Sequence, residues 1–460
     1  MGTQEIMKHV IEPESVAVIG ASGTPGKSGF SILANLLKTG YSGSVFPINP
    51  SVNEILGFKT YTDIEDVPEK PDHVVIALPR NLVVGQLKKC VKKGIEVATI
   101  MGHGFADNGE VGQAIEREIV EVSRNSGIRV IGPNSWGVTN TKNGFSTITF
   151  PMGLPPAGGI SVICQTGSFV HPAFAQQMGG MNKIIDIANA SDISFSEVLE
   201  YLGSDDTTKV IVLHLEGIKD GESFVTTLKD VAGKKPVIIL KVGRFPETAE
   251  AVSTHTGSLA GNYEIFEGLF RQTGAICVTD LDELFDLSRA FSCLPLMKGN
   301  GVGIISISGG MGAMAMDACE EFGMEVVELS DETVKGLHEI SPPWEELRNP
   351  LDIWPASEFK GLDVAKVFTT AIDQVLSDVN VDGVVVFAPI IVPGQDYADA
   401  IREGASGYKE KPCAIFCIAN EEGRKRFPEL EKHGVVSFPT IKRCVRALSV
   451  LHRFYQNARL

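Results

Sequence analysis

A single imidazole stands among hydroxyls and glycines in Ser253-Thr254-His255-Thr256-Gly257-Ser258-Leu259-Ala260-Gly261, just ahead of a helical pattern that starts at Asn262. Such a ring is unhindered. Glycines let backbone amides come close to a ligand, and amides with hydroxyls can surround an anion carried on the ring. Taken alone, the segment reads as a surface loop with a solvated histidine. In the right company it is a nucleophile, with an imidazole nitrogen that takes up a phosphoryl group and passes it on.

That chemistry needs an orienting carboxylate and a polarised cradle. Glu216 follows the apolar run Val210–Leu215, and the next strand, ending Lys241-Val242-Gly243-Arg244, feeds the His255 loop. If the two strands are neighbours, both loops leave one sheet edge, and Glu216 can hold one ring nitrogen while the other attacks. A solvated carboxylate at a strand end is the competing reading. Two turns offer the cradle, Cys164-Gln165-Thr166-Gly167-Ser168 and Ser306-Ile307-Ser308-Gly309-Gly310-Met311-Gly312, each carrying a strand into a helical pattern. Each presents a bare helix N-terminus of roughly half a positive charge. Such turns lie at the carboxyl edge of parallel sheets, where ligands bind. Thr166, Gly167, Ser168, Ser308, Gly309, Gly310 and Gly312 are the expected phosphate-binding residues, in a pocket shared by two domains.

A third glycine turn opens the chain. Gly20-Ala21-Ser22-Gly23-Thr24-Pro25-Gly26-Lys27 leads from an apolar strand into a helix pattern through Leu37. It suits a diphosphate, to which Lys27 adds a point charge. A nicotinamide dinucleotide wants an acidic residue at the end of the next strand for the ribose hydroxyls. Here that strand ends Ile48-Asn49-Pro50, with no carboxylate. An adenine-and-phosphate ligand without that contact is expected, and coenzyme A is the natural candidate. Leu78-Pro79-Arg80 and Gly132-Pro133-Asn134-Ser135 would line the same edge.

These turns need three blocks of alternating strands and helices, the pattern of doubly wound parallel α/β sheets. Strands are expected at 15–20, 44–48, 73–78, 97–101 and 129–131; at 159–164, 183–187, 209–215, 236–241 and 275–278; and at 301–306, 325–329, 383–389, 412–418 and 435–438. The expected domains are residues 1–143, 144–295 and 296–460. Ser341–Pro355, rich in proline and tryptophan, reads as an ordered loop.

Composition narrows the rest. The chain has 460 residues, 43% hydrophobic and 21% charged, with a formal net charge of −16. Such a chain is globular, and its charge disfavours nucleic acid and anionic membrane as partners. The first residues lack a secretory pattern, and no apolar run is long enough to span a bilayer. Eight cysteines without a CxxC pair fit reduced thiols in a cytoplasm and no metal site.

In this order, the GASGTPGKSG turn, the GPN loop, the CQTG turn, LEGIKDG, HTGSLAG and the SGGMG turn resemble the alpha subunit of NDP-forming acyl-CoA synthetases over essentially the whole chain. Those enzymes are best known as ADP-forming acetate–CoA ligase, an acid–thiol ligase, with succinyl-CoA synthetase more distant. The resemblance implies a Rossmann-like CoA-binding domain followed by two flavodoxin-like domains. It implies phosphorylation of His255, support from Glu216, and phosphate held at the two later turns. It further implies CoA contacts at Gly20, Ser22, Gly23, Lys27, Pro79 and Asn134. ADP or ATP with Mg would sit on a separate ATP-grasp beta subunit, making a hetero-oligomer. Departures from the family pattern occur at Ser135, at Cys164, at Ser168–His171 and at Asp186–Asp192, and they bear on which acid is used. Two other readings stay open: a CoA-responsive regulatory protein that has lost turnover, and a nicotinamide-dependent oxidoreductase built on the first block.

Overall fold

The computed structural model describes residues 2–151, 153–171, 177–248 and 262–458. Residues Met1–Ser288 form one unit and Arg289–Leu460 another. In the first unit, β1 (Ser15–Ile19), β2 (Ser44–Ile48), β5 (His73–Ile76), β6 (Val97–Ile100) and β7 (Arg129–Ile131) make a five-stranded sheet in the order β2-β1-β5-β6-β7. All its pairings are parallel. β1 and β5 are buried at every position, as expected of strands covered by helices on both faces. Between β2 and β5 lies a short antiparallel pair, β3 (Glu54–Ile55) and β4 (Phe58–Lys59).

The second sheet of this unit contains β8 (Val138–Asn140), β9 (Phe145–Ser146), β10 (Ala157–Cys164), β11 (Met181–Asp186), β12 (Val210–Leu215), β13 (Val237–Lys241) and β14 (Ile276–Val278), in the order β14-β13-β12-β10-β11-β8-β9. Its five long-spaced strands are parallel, and the β8–β9 hairpin adds antiparallel to the β11 edge. That hairpin bridges residue 143, because Asn140 pairs with Phe145 across its turn. β12 and β13 are neighbours, with Leu215 opposite Lys241.

The second unit holds β15 (Gly301–Ser306), β16 (Glu325–Val326), β17 (Leu351–Asp352), β18 (Gly383–Ile391), β19 (Gln395–Asp396), β20 (Cys413–Ala419) and β21 (Val435–Phe438), in the order β16-β15-β18-β20-β21. Leaving aside the short strands β8, β9, β17 and β19, each sheet places its first strand between the second and third, and its switch point lies beside that first strand. Three doubly wound, mainly parallel sheets are present, two of them in the first unit. One expected loop is partly structured: within 341–355 the chain forms β17 and then enters the helix Trp354–Lys360, with proline at its first turn. There the missing amide of proline costs nothing.

Both sheets of the first unit share a continuous core. Val16, Val18, Leu33 and Leu36 pack in one cluster with Ile163, Ile185, Leu199, Leu213 and Phe224. A buried charge pins the two sheets. The Lys183 ammonium, with no exposed side chain, donates to Asp205 at 2.7 Å and lies 3.5 Å from Glu12 at the end of the Thr3–Ile11 helix. Removing one partner of such a cluster strands the other charges. Lys183→Met is expected to cost about 3 kcal/mol in urea denaturation; a loss under about 1 kcal/mol, as for an exposed pair, would contradict it.

Candidate functional site

Gly20 ends the turn's strand with φ +89°, and a Cβ there would meet the Ala77 carbonyl at 2.4 Å. Only glycine lets β1 turn this close to β5. Ser22 is half-buried, whereas Gly23 and Lys27 are exposed, and Lys27 starts the helix Ser28–Lys38 with no side-chain cap. A helix start without a side-chain cap is the arrangement that suits a diphosphate. The Asn49 side chain, at the position of the missing carboxylate, donates to the Ala21 carbonyl at 2.8 Å. It braces the turn from beneath. Pro79 caps the helix Arg80–Lys92, and Arg80 donates to the Gly104 carbonyl at 2.5 Å. Asn134 has φ 69° and is hydrogen-bonded to the imidazole of His103.

Asn134 and the Thr166–Ser168 turn open on one cavity of about 730 Å³, also lined by Trp136, Phe150 and His171. The sequence placed Asn134 and Thr166 in separate domains; the fold brings them to one space. Gly167 is required there, because a Cβ would lie 2.3 Å from the Trp136 indole. Its described helix is a single 3-10 turn, Gly167–Val170, with Thr166 uncapped.

Glu216 is buried at the carboxyl end of β12. The Gln165 side-chain oxygen accepts from the amides of Glu216 at 2.7 Å and Gly217 at 3.1 Å. From the other side the Lys241 ammonium donates to the Glu216 carbonyl at 2.9 Å. Burial lowers the Lys241 pKa to about 8 against the opposing pull of Glu216. Arg244 stacks over the Tyr263 ring. His255 and the rest of its loop lie outside the described residues.

The departures flanking this cavity have packing duties. Ser135 is buried and donates to the Asp186 carbonyl at 2.6 Å. The Asp186 carboxylate accepts from the Trp136 amide at 2.7 Å and from the Ala188 amide at 3.1 Å. The Cys164 thiol, fully buried with its pKa pushed up by burial, lies 3.9 Å from Asp186. Asn189 donates to Glu116 at 2.9 Å, and Asp192 accepts from Arg129 at 3.0 Å. Of the altered positions, Ser168 and His171 reach the cavity. Sequence reasoning missed Gln165, Trp136 and Phe150. Gln165 was visible in the turn, but its amide partners are far away in the chain.

In the second unit, Ser308 precedes the helix Gly309–Phe322 without a side-chain cap, and Gly309 and Gly310 are exposed. Ser308, Gly309 and Gly312 line a cavity of about 580 Å³ with Glu345, Arg348 and Asp352. Gly312 is buried, and a Cβ there would touch Pro350 at 3.0 Å. Among the described residues no cluster of His, Cys, Asp or Glu could hold a metal, and no helix is long and apolar enough to cross a membrane.

Residues 14–141 match a CoA binding domain, and residues 157–291 a succinyl-CoA ligase like flavodoxin domain. An ADP-forming acetate–CoA ligase II of Archaeoglobus fulgidus is 39% identical over 82% of the chain, which spans only 56% of that relative's length. The alpha subunit of ADP-forming acetate–CoA ligase I of Pyrococcus furiosus is 32% identical over 97% of both chains. Among solved structures, an acetyl-coenzyme A synthetase of Ca. Korarchaeum cryptofilum in complex with phosphate and ADP superposes with a TM-score of 0.89. It is 27% identical, over 98% of this chain and 97% of that one.

Asp186 provides a check on the site's electrostatics. Burial pushes its pKa up to about 7, the amides of Trp136 and Ala188 oppose that, and the charge of Glu216 adds to it. The unfolded carboxyl loses its proton near pH 4, roughly, so between there and pH 7 the folded state binds more protons and stability falls as pH rises. Asp186→Asn cannot ionise. Subtracting the variant's unfolding free energy from the wild type's should give a value that declines from pH 4 to pH 7; a flat or rising difference contradicts a buried neutral carboxyl.

Proposed function

The chain belongs to the ADP-forming acetate–CoA ligase family, and from that premise we propose that it is the alpha subunit of an ADP-forming acyl-CoA synthetase. The reaction is acyl-CoA, phosphate and ADP to free acid, CoA and ATP, in either direction. One observation carries this reading: Asn134 and the Thr166–Ser168 turn border one cavity. A thioester delivered at the first edge meets a phosphate held at the second.

CoA is assigned to the first sheet's switch point. Its diphosphate lies on the Gly20–Lys27 turn, with half-buried Ser22 and exposed Gly23 and Lys27 as its contacts, and Pro79 and Asn134 line its path to the cavity. In the first step a phosphate oxygen attacks the thioester carbonyl, the C–S bond breaks, and CoA leaves as the thiol after taking a proton. The acyl phosphate then meets the imidazole of His255. The N–P bond forms, the P–O bond to the acyl group breaks, and the acid departs. Finally a β-phosphate oxygen of ADP displaces the imidazole to give ATP. An N–P bond suits this relay because it is labile enough to pass the group on, whereas a serine ester would hold it.

Glu216 is proposed to orient His255. The adjacency of β12 and β13 supports this, since the His255 loop follows β13 in the chain. The Thr166–Ser168 turn spreads the charge on phosphate during transfer, and Ser308, Gly309, Gly310 and Gly312 are proposed to bind phosphate on the same grounds. ADP or ATP, with Mg, is assigned to an ATP-grasp beta subunit that completes a hetero-oligomer. Eight free cysteines fit a cytoplasmic location.

Mixing the chain and its partner with acyl-CoA and labelled phosphate, without ADP, tests the relay. Acid-labile, base-stable label on the chain is expected, absent in His255→Ala and forming roughly 100-fold more slowly in Glu216→Gln. Unchanged labelling in His255→Ala would remove that residue from the mechanism.

A further inference from the structure

Resting on that reading, we propose that the acid handled by this chain is aromatic, an aryl or arylalkanoic carboxylate, and that Trp136, Phe150 and His171 select it. The acyl group must lie between the thioester sulfur and the phosphate, so it occupies the cavity between Asn134 and Thr166. One wall of that cavity is a run of rings. Trp136 and Phe150 are 4.8 Å apart at 34°, and Phe150 meets His171 edge-on at 5.3 Å and 71°. All three are half-buried and line the same space.

The wall is built into the fold. The Trp136 amide is held by Asp186, and the indole lies over Gly167, where no side chain would fit. Asn35, buried in the helix Ser28–Lys38, donates to the carbonyls of Ile148 at 2.8 Å and Phe150 at 2.7 Å, which sets the backbone of Phe150. Three rings present more apolar wall than a two-carbon acyl group can cover. An acetyl group would leave the ring wall against water, and a branched aliphatic group would cover it without ring-to-ring geometry. A planar ring gains both buried apolar area and an offset or edge contact.

The test is calorimetric binding of CoA, acetyl-CoA, isobutyryl-CoA and phenylacetyl-CoA to the full chain. Phenylacetyl-CoA is expected to bind about tenfold more tightly than either aliphatic thioester. Trp136→Leu should bring that ratio close to one, and so should Phe150→Leu, which leaves the Gly167 contact alone. Phenylacetyl-CoA binding no better than isobutyryl-CoA overturns the proposal while leaving the synthetase reading intact. An unchanged ratio in a folded Phe150→Leu and Trp136→Leu pair overturns the assignment to these rings. If CoA and all three thioesters fail to bind, the CoA-site reading falls and this inference falls with it.

Discussion

The side-chain oxygen of Gln165 accepts from two successive amides, those of Glu216 and Gly217. The candidate phosphate turn begins at Thr166, so this contact locks the turn after β10 to the carboxylate at the end of β12. Both amides are in a buried setting, where an unsatisfied donor costs about 1–3 kcal/mol. The Lys241 ammonium grips the Glu216 carbonyl from the neighbouring strand. Three strand ends, β10, β12 and β13, are thus held in one frame. Glu216 is thereby held through both its backbone amide and its carbonyl.

A second set of ties assembles the cavity across the two sheets of the first unit. Glu116 accepts from the Ala106 amide and from Asn189, and its carboxylate lies 3.7 Å from the Lys219 ammonium. Asp186 holds the Trp136 amide, and Asn35 holds the 148–150 segment. The continuous core beneath makes these sheets move as one packed body. The spacing between the candidate CoA turn and the candidate phosphate turn is therefore set by packing.

Local sequence made the scaffold legible. Runs such as Ser15–Ile19 and Val210–Leu215 are apolar at nearly every position because both sheet faces are covered, and the glycines of the turns mark where the backbone must bend or meet another strand. The β12–β13 adjacency, stated as a condition, fits the tendency of consecutive strands to lie side by side. Contacts between distant segments were not legible. Nothing near Asn49 announces a bond to Ala21, and nothing in Val138–Ser146 announces a hairpin that joins the following sheet. Ser135, Cys164 and Asp186 looked like changes to the substrate pocket, but the first two are turned into the packing under it and the third serves as a buried acceptor. Trp136 and Phe150 lie 14 residues apart by their numbers, and only the Asn35 and Asp186 ties explain why their rings meet.

In the proposed reaction inorganic phosphate itself attacks the thioester in the cavity beside Thr166–Ser168. The direct measurement is mass spectrometry of the acid released by the chain, together with the beta subunit proposed for it, from acyl-CoA, ADP and oxygen-18-labelled phosphate. Because the attacking oxygen stays with the acyl carbon when the P–O bond breaks, a single labelled oxygen in each carboxylate is the predicted result. Acid carrying only solvent oxygen would mean that water, or an enzyme-bound acyl group, had taken the place assigned to phosphate.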